Sequence, residues 1–154
     1  MPTDHTAQSL HNEGEDLTAE GRYAEAEHCL SRAVGLFERY AEANEDEFGC
    51  ALNDLADARS ALGRYDEETE SLYCRALMLL ERASGAQHPD VANILNNLAA
   101  LQRTRGRFAE SLSSAQRALE IMDRLFSDHE TMAGIDGDTI VVLHQIRQQA
   151  LAHA

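Results

Sequence analysis

His88-Pro89-Asp90-Val91-Ala92-Asn93-Ile94-Leu95-Asn96-Asn97-Leu98-Ala99, followed by Gly106-Arg107-Phe108-Ala109-Glu110 and then Arg117-Ala118-Leu119-Glu120-Ile121, is the stretch whose reading decides the fold. Proline fits the first turn of a helix, where no amide hydrogen is needed, and the acid behind it suits the positive end of the helix dipole. Leu95, Leu98 and Ala99 then fall on one helical face. Gly106 can take the left-handed conformation that ends a helix, and Phe108 starts a second, returning one. The stretch reads as a helical hairpin, Pro89 to Arg105 and Ala109 to Phe126.

Working outward, the same punctuation recurs. Gly21-Arg22-Tyr23 and Gly63-Arg64-Tyr65 precede Gly106-Arg107-Phe108 at intervals of 42 and 43 residues. At a constant offset ahead of each glycine stand Leu10, Leu52 and Leu95, with Gly14, Ala56 and Ala99 four residues on. Behind stand Arg32-Ala33-Val34, Arg75-Ala76-Leu77 and Arg117-Ala118-Leu119, the middle copy carrying one extra residue between its glycine and its Arg-Ala pair. Each copy predicts a helix A (Ala7 to Glu20, Gly49 to Leu62, Pro89 to Arg105) and a helix B (Ala24 to Ala43, Asp66 to Ser84, Ala109 to Phe126). Gly14, Ala56 and Ala99 are expected to face small residues on helix B, Ala26 and Ser111 in the outer copies, so that the two backbones approach closely. One hairpin cannot bury such faces; stacked hairpins can.

Leu-x-x-Leu-(Ala/Gly), Gly-x-(Tyr/Phe) and a later Ala resemble the signature of the tetratricopeptide repeat family, with a period of 42–43 residues in place of the usual ~34. The longer period and the wording of His88–Ala99 and Arg117–Ile121 are similar to the kinesin light chain class, which is also common in bacterial signalling and adaptor proteins. The resemblance spans roughly residues 7 to 127, is strong in repeat three and weakens toward both ends; repeat one has His11 and Glu13 in place of Asn96 and Leu98. It implies an all-α fold, a right-handed α-solenoid of three helical hairpins plus a C-terminal capping helix. The whole chain, 1–154, is then a single domain with repeats at about 7–45, 49–86 and 89–127. Residues 127–137 read as a loop. A last helix over 138–153, capped by Asp138, repeats the helix-A spacing in Leu143-His144-Gln145-Ile146 without a helix B.

Composition narrows the function classes. Acidic residues number 27 against 13 basic ones, a formal charge of −14, which repels nucleic acid and anionic membrane surfaces. The charge is heaviest at the N-terminal end: −7 over residues 1–45, −5 over 46–87 and −2 over 88–154. All the basic residues are arginine. No apolar run approaches the ~20 residues of a membrane span, and residues 1–5 form no leader, so a cytoplasmic protein is expected. Cys29, Cys50 and Cys74 lack a paired spacing and read as buried or half-buried thiols rather than a disulfide framework.

Catalytic motifs do not emerge: no phosphate-binding glycine loop, no Cys-x-x-Cys, no His-Glu-x-x-His and no Gly-x-Ser-x-Gly. His28 and Cys29 are adjacent and point about 100° apart on a helix, so Cys29 is expected buried beside a surface His28. His11 and Glu15 share a helix face and offer two metal ligands, short of the three or four a site needs. Asp136-Gly137-Asp138 holds too few ligand positions for calcium. The reading is of a chain with no enzyme activity, no cofactor and no metal.

A surface remains. In the tetratricopeptide family, helices A line a concave wall, and the resemblance carries that role onto His11, Asn12 and Glu15; Asn53, Asp54 and Asp57; Asn93, Asn96, Asn97 and Arg103; and His144 and Gln145. Gln8, Thr18, Cys50, Ser60, Ala100, Val141 and Gln148 flank them. Asparagine and glutamine offer both donors and acceptors, so a spaced series of them can pair with the backbone of an extended peptide whatever its sequence. The cations of a carboxylate clamp are missing at these positions, and Glu15, Asp54 and Asp57 favour a ligand with Arg or Lys near the N-terminal half of the groove. The expected function is a non-catalytic interaction module or adaptor, binding a peptide or helix of a protein partner, with no nucleic acid or membrane partner. The alternatives are a small acidic secretion-type chaperone and a self-assembling scaffold subunit forming a homo-oligomer.

Overall fold

A computed structural model describes residues 3–40 and 44–127. The expected loop over 127–137, the capping helix over 138–153 and the groove positions His144 and Gln145 lie outside the described residues, save that Ser127 still belongs to a helix. The described residues form six helices: α1 (Thr3–Ala19), α2 (Tyr23–Arg39), α3 (Glu45–Ala61), α4 (Glu67–Ser84), α5 (Pro89–Thr104) and α6 (Phe108–Ser127). The fold is all-α. Two compact units hold these helices, Met1–Ser84 with α1 to α4 and Gly85–Ala154 with α5 and α6.

The three glycines do the same work in each hairpin. Gly21, Gly63 and Gly106 have φ of 76°, 78° and 76°, a region open to glycine and strained for other residues. Around each, two amides return to the helix just ended: Gly21 N to Thr18 O and Arg22 N to Leu17 O, Gly63 N to Ser60 O and Arg64 N to Arg59 O, Gly106 N to Arg103 O and Arg107 N to Gln102 O. This is the Schellman pattern, which satisfies carbonyls that a helix end leaves orphaned. The aromatic residue two positions on starts the return helix at Tyr23 and Phe108. Its ring is not packed: Phe108 is 69% exposed, and Tyr23 and Tyr65 are also exposed. The hydrogen-bonded glycine turn closes the corner without it.

Helix starts follow local chemistry. His88 caps α5, its Nδ1 accepting from Asp90 N at 3.3 Å, with Pro89 in the first turn. α3 begins four residues ahead of the expected Gly49, because Asn44 accepts from Asp46 N and Glu45, Asp46 and Glu47 fill the first turn, where acids stabilise the helix dipole. α2 stops at Arg39, short of the expected Ala43, as Tyr40 leaves helical geometry. The extra residue of repeat two is accommodated at the cap of α4, where Asp66 Oδ1 accepts from Thr69 N and Thr69 Oγ1, both at 2.9 Å.

The core of the first unit packs α1 on α2, α2 on α3 and α3 on α4. Leu10 and Leu17 meet a helix α2 whose Ala26, Leu30, Ala33 and Phe37 are buried, while Leu52, Leu55 and Ala56 of α3 are buried together with Tyr73, Ala76 and Leu80 of α4. Gly14 is required by this packing, though not as expected. A Cβ there would lie 2.5 Å from Leu30 Cγ, so Leu30, not Ala26, occupies the space the missing side chain leaves. In the second unit α5 packs on α6, and the expected close approach is kept: Ser111 Oγ donates to Ala99 O at 2.8 Å. Cys29 is buried beside an exposed His28, but Cys74 is exposed on α4, correcting the expectation that every thiol is at least half-buried.

Candidate functional site

Repeat symmetry places His11, Asn53 and Asn96 at one position of helix A, Asn12, Asp54 and Asn97 at the next, and Glu15, Asp57 and Ala100 a turn further on. In the first unit α1 and α3 bring six of these into one wall. His11 Nε2 pairs with Asp54 Oδ2 at 2.7 Å. Asn53 Nδ2 donates to Asp54 Oδ1 and to Asp57 Oδ2, each at 3.3 Å. Tyr73 of α4 donates its hydroxyl hydrogen to Asp57 Oδ1 at 2.6 Å, with Ser60 Oγ 3.2 Å from the same phenol oxygen. A polar chain thus runs from His11 on α1 through Asp54, Asn53 and Asp57 on α3 to Tyr73 on α4.

Accessibility divides the candidates. His11 is 4% exposed, Asn53 6% and Asn96 3%, so these three lie in the wall rather than on it. Asp54, Asp57, Asn93 and Asn97 are half-buried, while Asn12, Glu15 and Arg103 are exposed. Asn12 accepts from Gln8 Nε2 at 2.8 Å. Gln8 Oε1, His11 Nδ1 and Asn53 Oδ1 are buried with no hydrogen-bond partner among the described residues. In the second unit Asn93, Asn96, Asn97 and Arg103 follow one another along α5, and buried Gln102 accepts from Ser114 Oγ at 2.9 Å.

Burial and charge set the titration of this wall. Burial lifts the Asp57 carboxyl to about 7, with the charge of Asp54 adding to it, against the hydrogen bonds from Tyr73 and Asn53. Burial also pushes the Tyr73 phenol up, and the charge of Asp57 adds to the rise. For His11 burial acts downward, but the hydrogen bond and charge of Asp54, then the charges of Glu15 and Glu47, outweigh it and raise the ring above its ordinary value. The first unit's wall therefore changes charge near neutrality.

Two residues central to this region were not anticipated from the sequence. Tyr73 lies inside a helix-B segment, and nothing in the repeat pattern marks it as a partner of Asp57. Arg59 occupies the position of Leu17 and Gln102 in the other repeats, yet it is buried and forms the densest ionic cluster of the first unit. Its Nε donates to Thr69 Oγ1 at 3.0 Å, and its other nitrogens reach Glu27 at 3.2 Å, Asp66 at 3.2 Å and Glu68 at 2.8 Å. Glu27 also takes Arg64. The signal was available: an arginine where the other copies carry leucine or glutamine, with Asp66, Glu67 and Glu68 at the inserted residue. On another side of the unit, Arg75 meets Glu38 at 2.6 Å and lies 5.7 Å over the Phe48 ring, which stacks on Phe37.

The tetratricopeptide repeat family model matches residues 5–68 and 47–124. The chain is a tetratricopeptide repeat protein. Its fold is similar to the crystal structure of BtubC (BKLC) from P. vanneervenii, with a TM-score of 0.73 at 22% identity, over 96% of this chain and 60% of that one. This chain thus spans about 60% of the length of that BtubC chain. It is also similar to the nearly identical TPR-like repeats of a Podosopora anserina kinesin light chain-type protein, with a TM-score of 0.64 at 18% identity, over 94% of this chain and 73% of that one. A second structure of those repeats gives 0.65 at 19% over 96% and 75%. No curated protein matches the sequence. These neighbours show the same repeat fold. Such a fold supports a protein–protein interaction or scaffold role in general, and its members are generally non-catalytic binding modules. Among the described residues no helix is long and apolar enough to cross a membrane.

Proposed function

We propose that this tetratricopeptide repeat protein is a cytoplasmic adaptor whose helix-A wall binds an extended peptide or helix of a protein partner, with basic residues of the partner facing α1 and α3. The observation that carries this reading is that each unit's helix-A face sets more accessible amides and acids beside a buried polar residue, bonded into a chain in the first unit. In the first unit buried His11 and Asn53 are bonded to the half-buried Asp54 and Asp57; in the second Asn96 is buried on α5. The more accessible residues assigned to partner contact are Asn12, Glu15 and Asp54 in the first unit and, on α5 taken by itself, Asn93, Asn97 and Arg103 in the second. Paired amide donors and acceptors suit a peptide backbone, and the acids set its charge.

Selection of short displayed peptides on the purified chain tests the reading. Binders enriched in Arg and Lys are expected, with affinity falling by about tenfold or more when Asn12, Asn93 and Asn97 are together replaced by alanine, a loss of about 1.4 kcal/mol. Selected binders unaffected by that triple substitution would remove these residues from the interface.

A further inference from the structure

Repeat one departs from its siblings at one junction. Where the equivalent residues are Asn53 and Asn96, α1 carries His11; one turn on it carries Glu15, and the neighbouring α3 supplies Asp54. One ligand atom from each of the three lies within 4.8 Å of the other two. We propose that His11, Glu15 and Asp54 form a binding site for a first-row divalent cation of the zinc type, formed between repeats one and two. The site shares Glu15 and Asp54 with the proposed peptide-binding face, but its argument does not rest on peptide binding.

The chemistry fits. An imidazole with two carboxylates is a borderline donor set that suits Zn2+, Co2+ or Ni2+ better than Ca2+ or Mg2+. Metal–ligand bonds of ~2.0–2.2 Å place ligand atoms about 3.4 Å apart in a tetrahedron. The exposed Glu15 side chain can close that distance, and the 2.7 Å His11–Asp54 contact opens to admit the ion between its two atoms. The His11 ring is more than nine-tenths buried and its Nδ1 has no partner, so its working end is Nε2, aimed at Asp54. Around it stand the acids Asp54, Glu15 and Glu47, each acting on the ring as negative charge. A divalent cation neutralises that excess, and water completes its coordination. Uptake by the protonated ring releases one proton to solvent, so the cation binds more weakly as the pH falls.

Calorimetric titration of the full chain with Zn2+, with Co2+ absorption as a second readout, tests the site. His11→Asn installs the residue its siblings carry, and Glu15→Gln alters an exposed side chain that the packing does not need. Wild type is expected to bind one equivalent that His11→Asn loses. Glu15→Gln should weaken that equivalent by at least the ~10–100-fold that even an outer partner of a metal ligand costs. The tetrahedral Co2+ bands should be absent in His11→Asn. No saturable Zn2+ uptake by wild type, or an unchanged isotherm in either variant, overturns the proposal. The six histidines left in His11→Asn report adventitious binding in the same titration.

Discussion

The helix-A faces of the two units are built on one repeat backbone and behave as different materials. In the first, His11, Asn53, Asp54, Asp57 and Tyr73 form a hydrogen-bonded chain, and Arg59 gathers Glu27, Asp66, Glu68 and Thr69 at the hairpin turns. In the second, α5 offers Asn93, Asn96, Asn97 and Arg103, with Ala100 where the first unit has Glu15 and Asp57. The glycine turns are the same in all three hairpins, so the backbone is set by a few positions. The intervening ones are free to hold charge in one place and neutral amides in another.

Arg59→Ala should break this contrast most severely. It takes from Glu27, which is largely buried, one of its two arginines and leaves it only Arg64, while Asp66 and Glu68 are exposed enough to re-solvate. A loss of about 2–3 kcal/mol is expected in chemical denaturation. Hydrogen exchange should show it in the amides of α1–α4, with α5 and α6 protected as before; equal loss in both units would contradict the assignment of the cluster to the first. Gly14→Ala drives a methyl into Leu30 and should cost about 1–3 kcal/mol. Gly35→Ala, in the same hairpin with open space around it, should instead stabilise by about 0.5–1 kcal/mol. Similar effects at the two sites would refute the packing given for Gly14.

The titrating wall gives a smaller, signed effect. Asp57 holds its proton more tightly folded than unfolded, so the stability it contributes is complete below about pH 4 and lost as the pH rises to about 7. His11 is also raised, and its contribution is complete below about 6.5 and lost as the pH rises through its folded value. Both act in one direction, while the lowered carboxyls of Glu25, Asp66 and Glu110 act only in more acid solution. Unfolding free energy should therefore fall by on the order of 1–2 kcal/mol between pH 5.5 and 8. Asp57→Asn should flatten that slope.

The backbone was legible in the sequence because it depends on residues with few physical alternatives. Gly21, Gly63 and Gly106 must end helices, His88-Pro89-Asp90 must start one, and Leu95, Leu98 and Ala99 must share a buried face. The wall was legible only as a set of positions. Spacing places Asn53 and Asn96 on the same face as Asn12 and Asn97, but a difference of one residue turns a side chain about 100°, and that turn decides which are buried. Nor does a helical period reveal partners across repeats: Asp54 reaching His11, Tyr73 reaching Asp57 and Glu27 reaching Arg59 depend on how α1 to α4 pack. Leu30 filling the space at Gly14 is likewise a matter of side-chain packing between helices.

The most direct test of the proposed interaction surface is the affinity of a selected Arg-containing peptide, measured by fluorescence anisotropy in excess chelator, for wild type and for Glu15→Gln/Asp54→Asn. Removing both charges should weaken binding by about tenfold or more and flatten its salt dependence. Equal affinity and equal salt dependence in the two proteins would contradict the account.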